Sequence, residues 1–244
     1  MPASSDLLEA RGLTKTFGGL RAVNELSFTV RAGEILGLLG PNGSGKTTVF
    51  NLIAGALAPD RGGVFLEGRE ITALAPHRRA ALGIVRTFQL VRALPGLTVL
   101  DNVLVARLYG RVRAAGVREA RTESLECLEF AGLAGLAARP AGALTLAERK
   151  RLEVARALAA GPRLLLLDEP AAGLNPTEVA ALLALFRRIR AGGVTIVIVE
   201  HNVGAIRDLC DRIVVLNAGR KIAEGPPRET LEHAGVVEVY LGAP

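Results

Sequence analysis

Residues 40 to 47 read Gly-Pro-Asn-Gly-Ser-Gly-Lys-Thr, a spacing suited to holding phosphate. Glycines let successive backbone N–H groups turn inward around an anion, and a helix starting immediately afterwards offers its positive end. Lys46 supplies a point charge for the outer phosphates and Thr47 an oxygen for Mg²⁺, so Gly40, Pro41, Asn42, Gly43, Ser44, Gly45, Lys46, Thr47 and Thr48 form a candidate cradle. A second constellation follows an apolar run, Leu164 to Leu167, that ends in Asp168 and Glu169. Two acids at a strand end can simply begin a solvated loop. Beside the glycine loop they have work to do: Asp168 to hold Mg²⁺, directly or through water, and Glu169 to orient and deprotonate an attacking water.

The elements that must position these groups are legible as changes of period. Leu26, Phe28 and Val30 alternate with Ser27, Thr29 and Arg31, the pattern of a strand with one buried face, and the stretch after Gly62 and Gly63 has the same character. Glu34 to Gly40 is a short apolar run of the kind buried in a parallel sheet, and Thr47 to Leu57 reads as a helix. From about Leu97 to Ala138 the pattern turns helical, with Val99, Val103 and Ala106 on one face and Leu125, Leu128 and Ala131 on another. The sheet resumes at Leu164, at Val194 and at Arg212, around a helix from about Pro176 to Ala191 that Asn175 caps and Gly192 and Gly193 end. Two short helices follow Pro226. The expected fold is α/β: a P-loop NTPase core with a mostly parallel sheet, an N-terminal antiparallel β subdomain and an inserted α-helical subdomain. The expected division is a core at about 1–88 and 160–225, a helical subdomain at about 89–159 and C-terminal helices at about 226–244.

The 244 residues, half of them hydrophobic, can bury one large core. A net charge of +6 permits an anionic partner without choosing between nucleotide, nucleic acid and membrane surface; lysine occurs only at 15, 46, 150 and 221, so the basicity is nearly all arginine. Cys127 and Cys210 are far apart with no histidine nearby, which points to reduced thiols rather than a metal site. The first ten residues lack a basic segment followed by an apolar one, and no run reaches the roughly 18 to 20 apolar residues of a membrane span.

Taken together these residues resemble an ATP-binding cassette ATPase over almost the whole chain. The resemblance implies Mg²⁺ and ATP as cofactors. It also implies that Phe17 stacks on adenine, that Gln89 reaches the Mg²⁺ and the attacking water, that His201 touches the γ-phosphate, and that Gly173, Leu174 and Asn175 cross a dimer interface. The strings around "RTFQ", "RLEVARAL", "EPAAGLNP", "VEHNV" and "VLNAGRKIAEGPP" are similar to those of one subgroup, the ATP-binding subunits of branched-chain amino acid importers. That subgroup implies two membrane permease subunits, a second related ATPase or a second copy of this chain, an indirectly acting substrate-binding protein, no nucleic acid, and a peripheral position on the cytoplasmic face of the inner or plasma membrane. Permease docking would fall near the helical insertion, where Leu90, Val91, Leu94 and Leu97 either line a groove or belong to the core. A soluble cassette acting on nucleic acid or ribosomes usually carries tandem cassettes, long coiled coils or zinc modules, and none is visible.

One stretch departs from the family. Its signature loop, typically Leu-Ser-Gly-Gly-Gln, closes over the ATP of the opposite subunit, yet here Leu144, Thr145, Leu146, Ala147 and Glu148 stand in its place and both glycines are gone. Thr145 and Glu148 are spaced as a capping box for a helix running to Ala160. If Ala147 has negative φ its methyl group costs little; if positive φ is required, the penalty is about 1 to 2 kcal/mol. The second outcome would suit a regulatory subunit that closes on ATP but hardly turns over.

Overall fold

A computed structural model describes residues 6–87, 93–112 and 114–241. Five short strands form the parallel part of the larger sheet: β3 (Ile35–Leu39), β6 (Ile84–Arg86), β7 (Leu164–Asp168), β8 (Thr195–Val199) and β9 (Arg212–Asn217). With β10 (Arg220–Gly225) antiparallel on one edge, the spatial order is β10-β9-β3-β8-β7-β6. Every residue of β3, β7 and β8 is buried, because layers cover both faces of the sheet.

Alternation sorts the strand residues between those layers. Leu36, Leu38, Leu166 and Val197 face α1 (Lys46–Ala54) and a second sheet, while Ile35, Leu165, Leu167 and Ile198 face α5 (Leu146–Ala159) and α6 (Pro176–Ala191). The second sheet is antiparallel, with β1 (Asp6–Phe17), β2 (Leu20–Arg31), β4 (Arg61–Leu66) and β5 (Arg69–Glu70) in the order β2-β1-β4-β5. In β2, Leu26, Phe28 and Val30 are buried and Ser27 and Arg31 exposed, so its period of two sets its facing. After α7 (Val203–Leu209), the chain ends in two short helices, α8 (Pro227–Leu231) and α9 (Ala234–Leu241).

The helical insertion holds α3 (Val99–Tyr109), α4 (Val117–Phe130) and the start of α5, packed around Val99, Val103, Leu128, Leu144, Leu152 and Ala155. Leu125 does not join that core. It is 39% exposed, and the buried stripe of α4 runs through Ala120, Ser124 and Leu128 instead. Leu94 and Leu97 are also exposed, while Leu90 and Val91 lie outside the described residues.

One buried cation ties the first helix down. Helix α2 (Pro76–Ala81) carries Arg79, only 1% exposed, whose guanidinium donates to the carbonyls of Leu52 and Ile53 at 2.7 Å each, Thr72 at 2.7 Å and Leu74 at 3.0 Å. Leu52 and Ile53 belong to the last turn of α1, where carbonyls lack the usual i+4 donor, Leu52 O having only the capping Gly55 N–H, and the helix dipole favours positive charge. Gly55 makes room: at φ +78, its missing Cβ would lie 2.7 Å from Arg79 Nε. Replacing Arg79 by Met removes the donor from four carbonyls, of which Leu52 O alone keeps another, the Gly55 N–H at 3.4 Å, and we expect unfolding free energy to fall by roughly 2 to 4 kcal/mol. The shift should appear as a lower urea midpoint at unchanged slope.

Candidate functional site

The glycine loop joins the end of β3 to α1 and is pressed against two other backbones. A Cβ on Gly40 would lie 2.3 Å from the Leu216 carbonyl, and one on Gly45 would lie 2.4 Å from that of Ala22, so at both positions only hydrogen fits. Both also have positive φ, +147° and +104°. Gly219 stitches the loop in place, donating to Ser44 O at 3.1 Å and accepting from Asn24 N–H at 2.9 Å. Around the loop is a cavity of about 330 Å³ lined by Gly43, Ser44, Lys46, Thr47, Thr48, Glu169, Phe17 and Leu20, among others.

Lys46 folds across its own loop, donating to Gly40 O at 2.7 Å and Pro41 O at 2.9 Å. Burial pushes its pKa down against the opposing influence of the Glu169 and Asp168 carboxylates. Two buried oxygens nearby lack a hydrogen-bond partner among the described residues: Ser44 Oγ and Asp168 Oδ1. Orphaned buried acceptors are rare and point to an external ligand. A loop with no room for a Cβ at Gly40 or Gly45, a lysine, exposed Thr47 and a carboxylate oxygen without a partner among the described residues suit a magnesium-bound nucleotide phosphate.

Asp168, 2% exposed, accepts from Arg86 Nη2 at 2.6 Å through Oδ2. Glu169 follows at φ +47, a conformation that costs a non-glycine residue about 1 to 2 kcal/mol. Three backbone bonds hold it there: its N–H donates to Val199 O at 2.9 Å, and its carbonyl accepts from Ala172 N–H at 3.2 Å and Lys150 Nζ at 3.1 Å. The turn aims the side chain at His201, whose Nε2 is 2.8 Å from Oε1. With the carboxylate ionised, the imidazole Nε2–H is the donor.

Glu200, 5% exposed, locks this corner from behind by accepting the N–H groups of Ala171 at 2.6 Å and His201 at 3.3 Å. Burial pushes its pKa up, against those two donors. Lys150, on α5, is also pushed down by burial while Glu200 and Glu169 push it up. Arg86, Lys150 and Glu200 went unread in the sequence as site residues, and only the juxtaposition of separate strands and helices reveals them.

The ABC transporter family model matches residues 23–172. The chain belongs to that family. Among curated relatives, the high-affinity branched-chain amino acid transport ATP-binding protein BraF of Pseudomonas aeruginosa is 40% identical over 252 residues, covering 98% of this chain and 99% of the relative. Among solved structures, the ADP conformation of an ATP-binding cassette of an ABC transporter superposes with a TM-score of 0.89 at 32% identity, covering 98% of this chain and 99% of that one. A dimeric cassette in a post-hydrolysis state, bound to ADP and phosphate, gives a TM-score of 0.81 at 28% identity, covering 91% and 99%.

Leu144 to Glu148, the stretch that the sequence resemblance sets in place of the signature loop, has a defined geometry. Thr145 caps α5 through a complete capping box: Thr145 Oγ1 accepts Glu148 N–H at 3.3 Å, and Glu148 Oε2 accepts Thr145 N–H at 2.8 Å. Ala147 lies inside the helix and is not among the residues with positive φ, so its methyl group carries no backbone penalty. Leu144 is buried, and Leu146, where the family has glycine, is partly exposed against Gly173, with Cδ2 2.9 Å from where a Cβ on that glycine would stand. Asn175 makes the capping box of α6, and Leu174 packs on the core between them. Phe17, 46% exposed, lines the cavity beside the loop, with Lys15 Nζ 5.8 Å from its ring centre. Gln89 lies outside the described residues.

Two outcomes test this geometry. Lys150→Ala removes the donor on the strained Glu169 carbonyl, and we expect kcat for ATP to fall about tenfold with nucleotide affinity unchanged, since the lysine touches the turn rather than the cradle. Gly173→Ala should cost about 1 to 2 kcal/mol, mostly from its φ of +80. Thermal melts of Gly173→Ala with and without Leu146→Ala locate that cost. A leucine tip can swing aside, so the second change should recover little of the loss.

Proposed function

We propose that this cassette is the ATP-hydrolysing subunit of an importer for branched-chain or related amino acids, acting with Mg²⁺ and ATP. The observation that carries the reading is the placement of the Glu169–His201 pair at the rim of the cavity lined by Lys46 and the glycine loop. The full-length similarity to BraF supports the amino acid class. Phe17 stacks on the adenine. The loop amides and Lys46 hold the β- and γ-phosphates, Lys46 exchanging its bonds to Gly40 O and Pro41 O for phosphate oxygens. Magnesium, when bound, would supply positive charge between the phosphates, held by Thr47, Asp168 and Gln89. Glu169 Oε1 takes the proton of the attacking water, and His201 turns from Glu169 to the γ-phosphate.

The signature loop, Leu144 to Glu148, serves the nucleotide of a second cassette, a related ATPase or another copy of this chain. The N-terminal amides of α5 provide the anion-binding contact. Gly173, Leu174 and Asn175 line the seam between the two cassettes, a reading supported by the dimeric relative. No helix among the described residues is long and apolar enough to cross a membrane. In this reading the cassette acts with two permease subunits, on the cytoplasmic face of the membrane, with a substrate-binding protein on the far side, a setting supported by the similarity to BraF. The permease contact falls at an apolar cavity of about 460 Å³ between the core and the helical insertion, lined by Ala54, Pro76, Val105 and Tyr109 among others, with Tyr109 83% exposed. Nucleic acid has no part in this reading.

Glu169→Gln tests the chemistry. In the assembled complex we expect ATP turnover to fall by about 10²-fold or more while ATP still binds; equal rates for the two proteins would remove Glu169 from the role of base. The same variant, tagged and solubilised gently in Mg-ATP, tests the setting. Co-purification of two permease proteins and a second cassette supports the importer, whereas nucleic-acid or ribosomal partners alone would overturn it.

A further inference from the structure

Arginine's planar fork normally takes both oxygens of a carboxylate. Arg86 takes only one. Its Nη2 donates to Asp168 Oδ2 at 2.6 Å, while its Nη1 donates to Oδ1 of Asn51 on α1. Asp168 Oδ1 is left buried with no hydrogen-bond partner among the described residues. Phe50, one residue before Asn51, sets its ring 5.7 Å from the guanidinium carbon, and β6 pairs Arg86 with Leu166 on the strand that ends at Asp168. Backbone and side chain together fix where the fork can reach.

We propose that Asn51 reserves Asp168 Oδ1 for the metal by diverting the second arm of Arg86. The arrangement rests on the reading of the loop as a Mg-nucleotide site and assigns two residues outside it a positioning role. Arg86 offsets the charge of a buried carboxylate and pins Oδ2, and Asn51 keeps the guanidinium from closing over Oδ1 as well. Without Asn51 the freed arm has a ready acceptor in Oδ1, and the cation must compete for it. Asn51 is only half-buried and lines the cavity between core and helical insertion, so substitution there leaves the cores intact.

The test is the Mg²⁺ dependence of ADP affinity, measured on the full chain with a fluorescent ADP analogue titrated in EDTA and at rising MgCl₂. ADP avoids turnover, so the readout is binding alone. For Asn51→Ala we expect the Mg²⁺ concentration giving half the affinity gain to rise about tenfold, a loss near 1.4 kcal/mol, with affinity in EDTA unchanged. Asn51→Asp keeps an acceptor for Arg86 and should behave as the unaltered chain. Arg86→Lys keeps a cation at Oδ2 without a second arm, and it too should leave the Mg²⁺ response in place. An unchanged Mg²⁺ response in Asn51→Ala, an equal loss with and without Mg²⁺, or a tenfold loss in Arg86→Lys would each overturn the proposal. Absence of any Mg²⁺ effect on the unaltered chain would instead overturn the metal-site reading on which it rests.

Discussion

The close approach of two other backbones to the glycine loop is the constraint on which the rest of the structure depends. The carbonyls of Ala22 and Leu216 stand where side chains would be if Gly40 or Gly45 had them. The antiparallel sheet and the β9 strand are therefore walls of the loop, and their packing on the main sheet shapes it. Gly219 closes the arrangement by bonding to both Ser44 and Asn24. Arg79 acts at the opposite end of α1, holding the helix whose first turn finishes the cradle.

A second theme is the use of buried charge to fix backbone. Glu200 and Lys150 bond to the main chain of the two turns, after β7 and after β8, that carry Glu169 and His201. Buried ionisable groups are expensive unless hydrogen-bonded, and here each bond lands on a backbone group that would otherwise be free to shift. The strain at Glu169 persists because three bonds to its backbone over-determine it, one of them from the buried Lys150. Lys150 is the fifth residue of α5, so the helix capped by Thr145 is tied directly to the turn that carries Glu169.

Local chemistry explains what could be read from the sequence. The glycine loop, the acids after an apolar strand, and the helix caps at Thr145 and Asn175 are each written within a few residues. The groups that escaped notice are joined across long separations: Arg86 to Asp168 across 82 residues, Asn51 to Arg86 across 35, Glu200 to Ala171 across 29. Nothing in an isolated asparagine or arginine announces such a partner. Short elements escaped for a different reason, since β6 has three residues and α2 six, too few for a period to emerge. Leu125 misled because helical spacing marks a face without saying whether anything covers it. The signature loop turned on a backbone angle at Ala147 that composition does not encode.

Lys46 gives the phosphate loop an internal counter-ion arrangement of its own. By donating to Gly40 O and Pro41 O it neutralises carbonyl density that the folded loop concentrates at one point. These bonds brace the loop's shape, so a phosphate taken up there would replace existing bonds rather than fold the loop. Affinity there would be a difference between two satisfied states, less than the full worth of the new bonds.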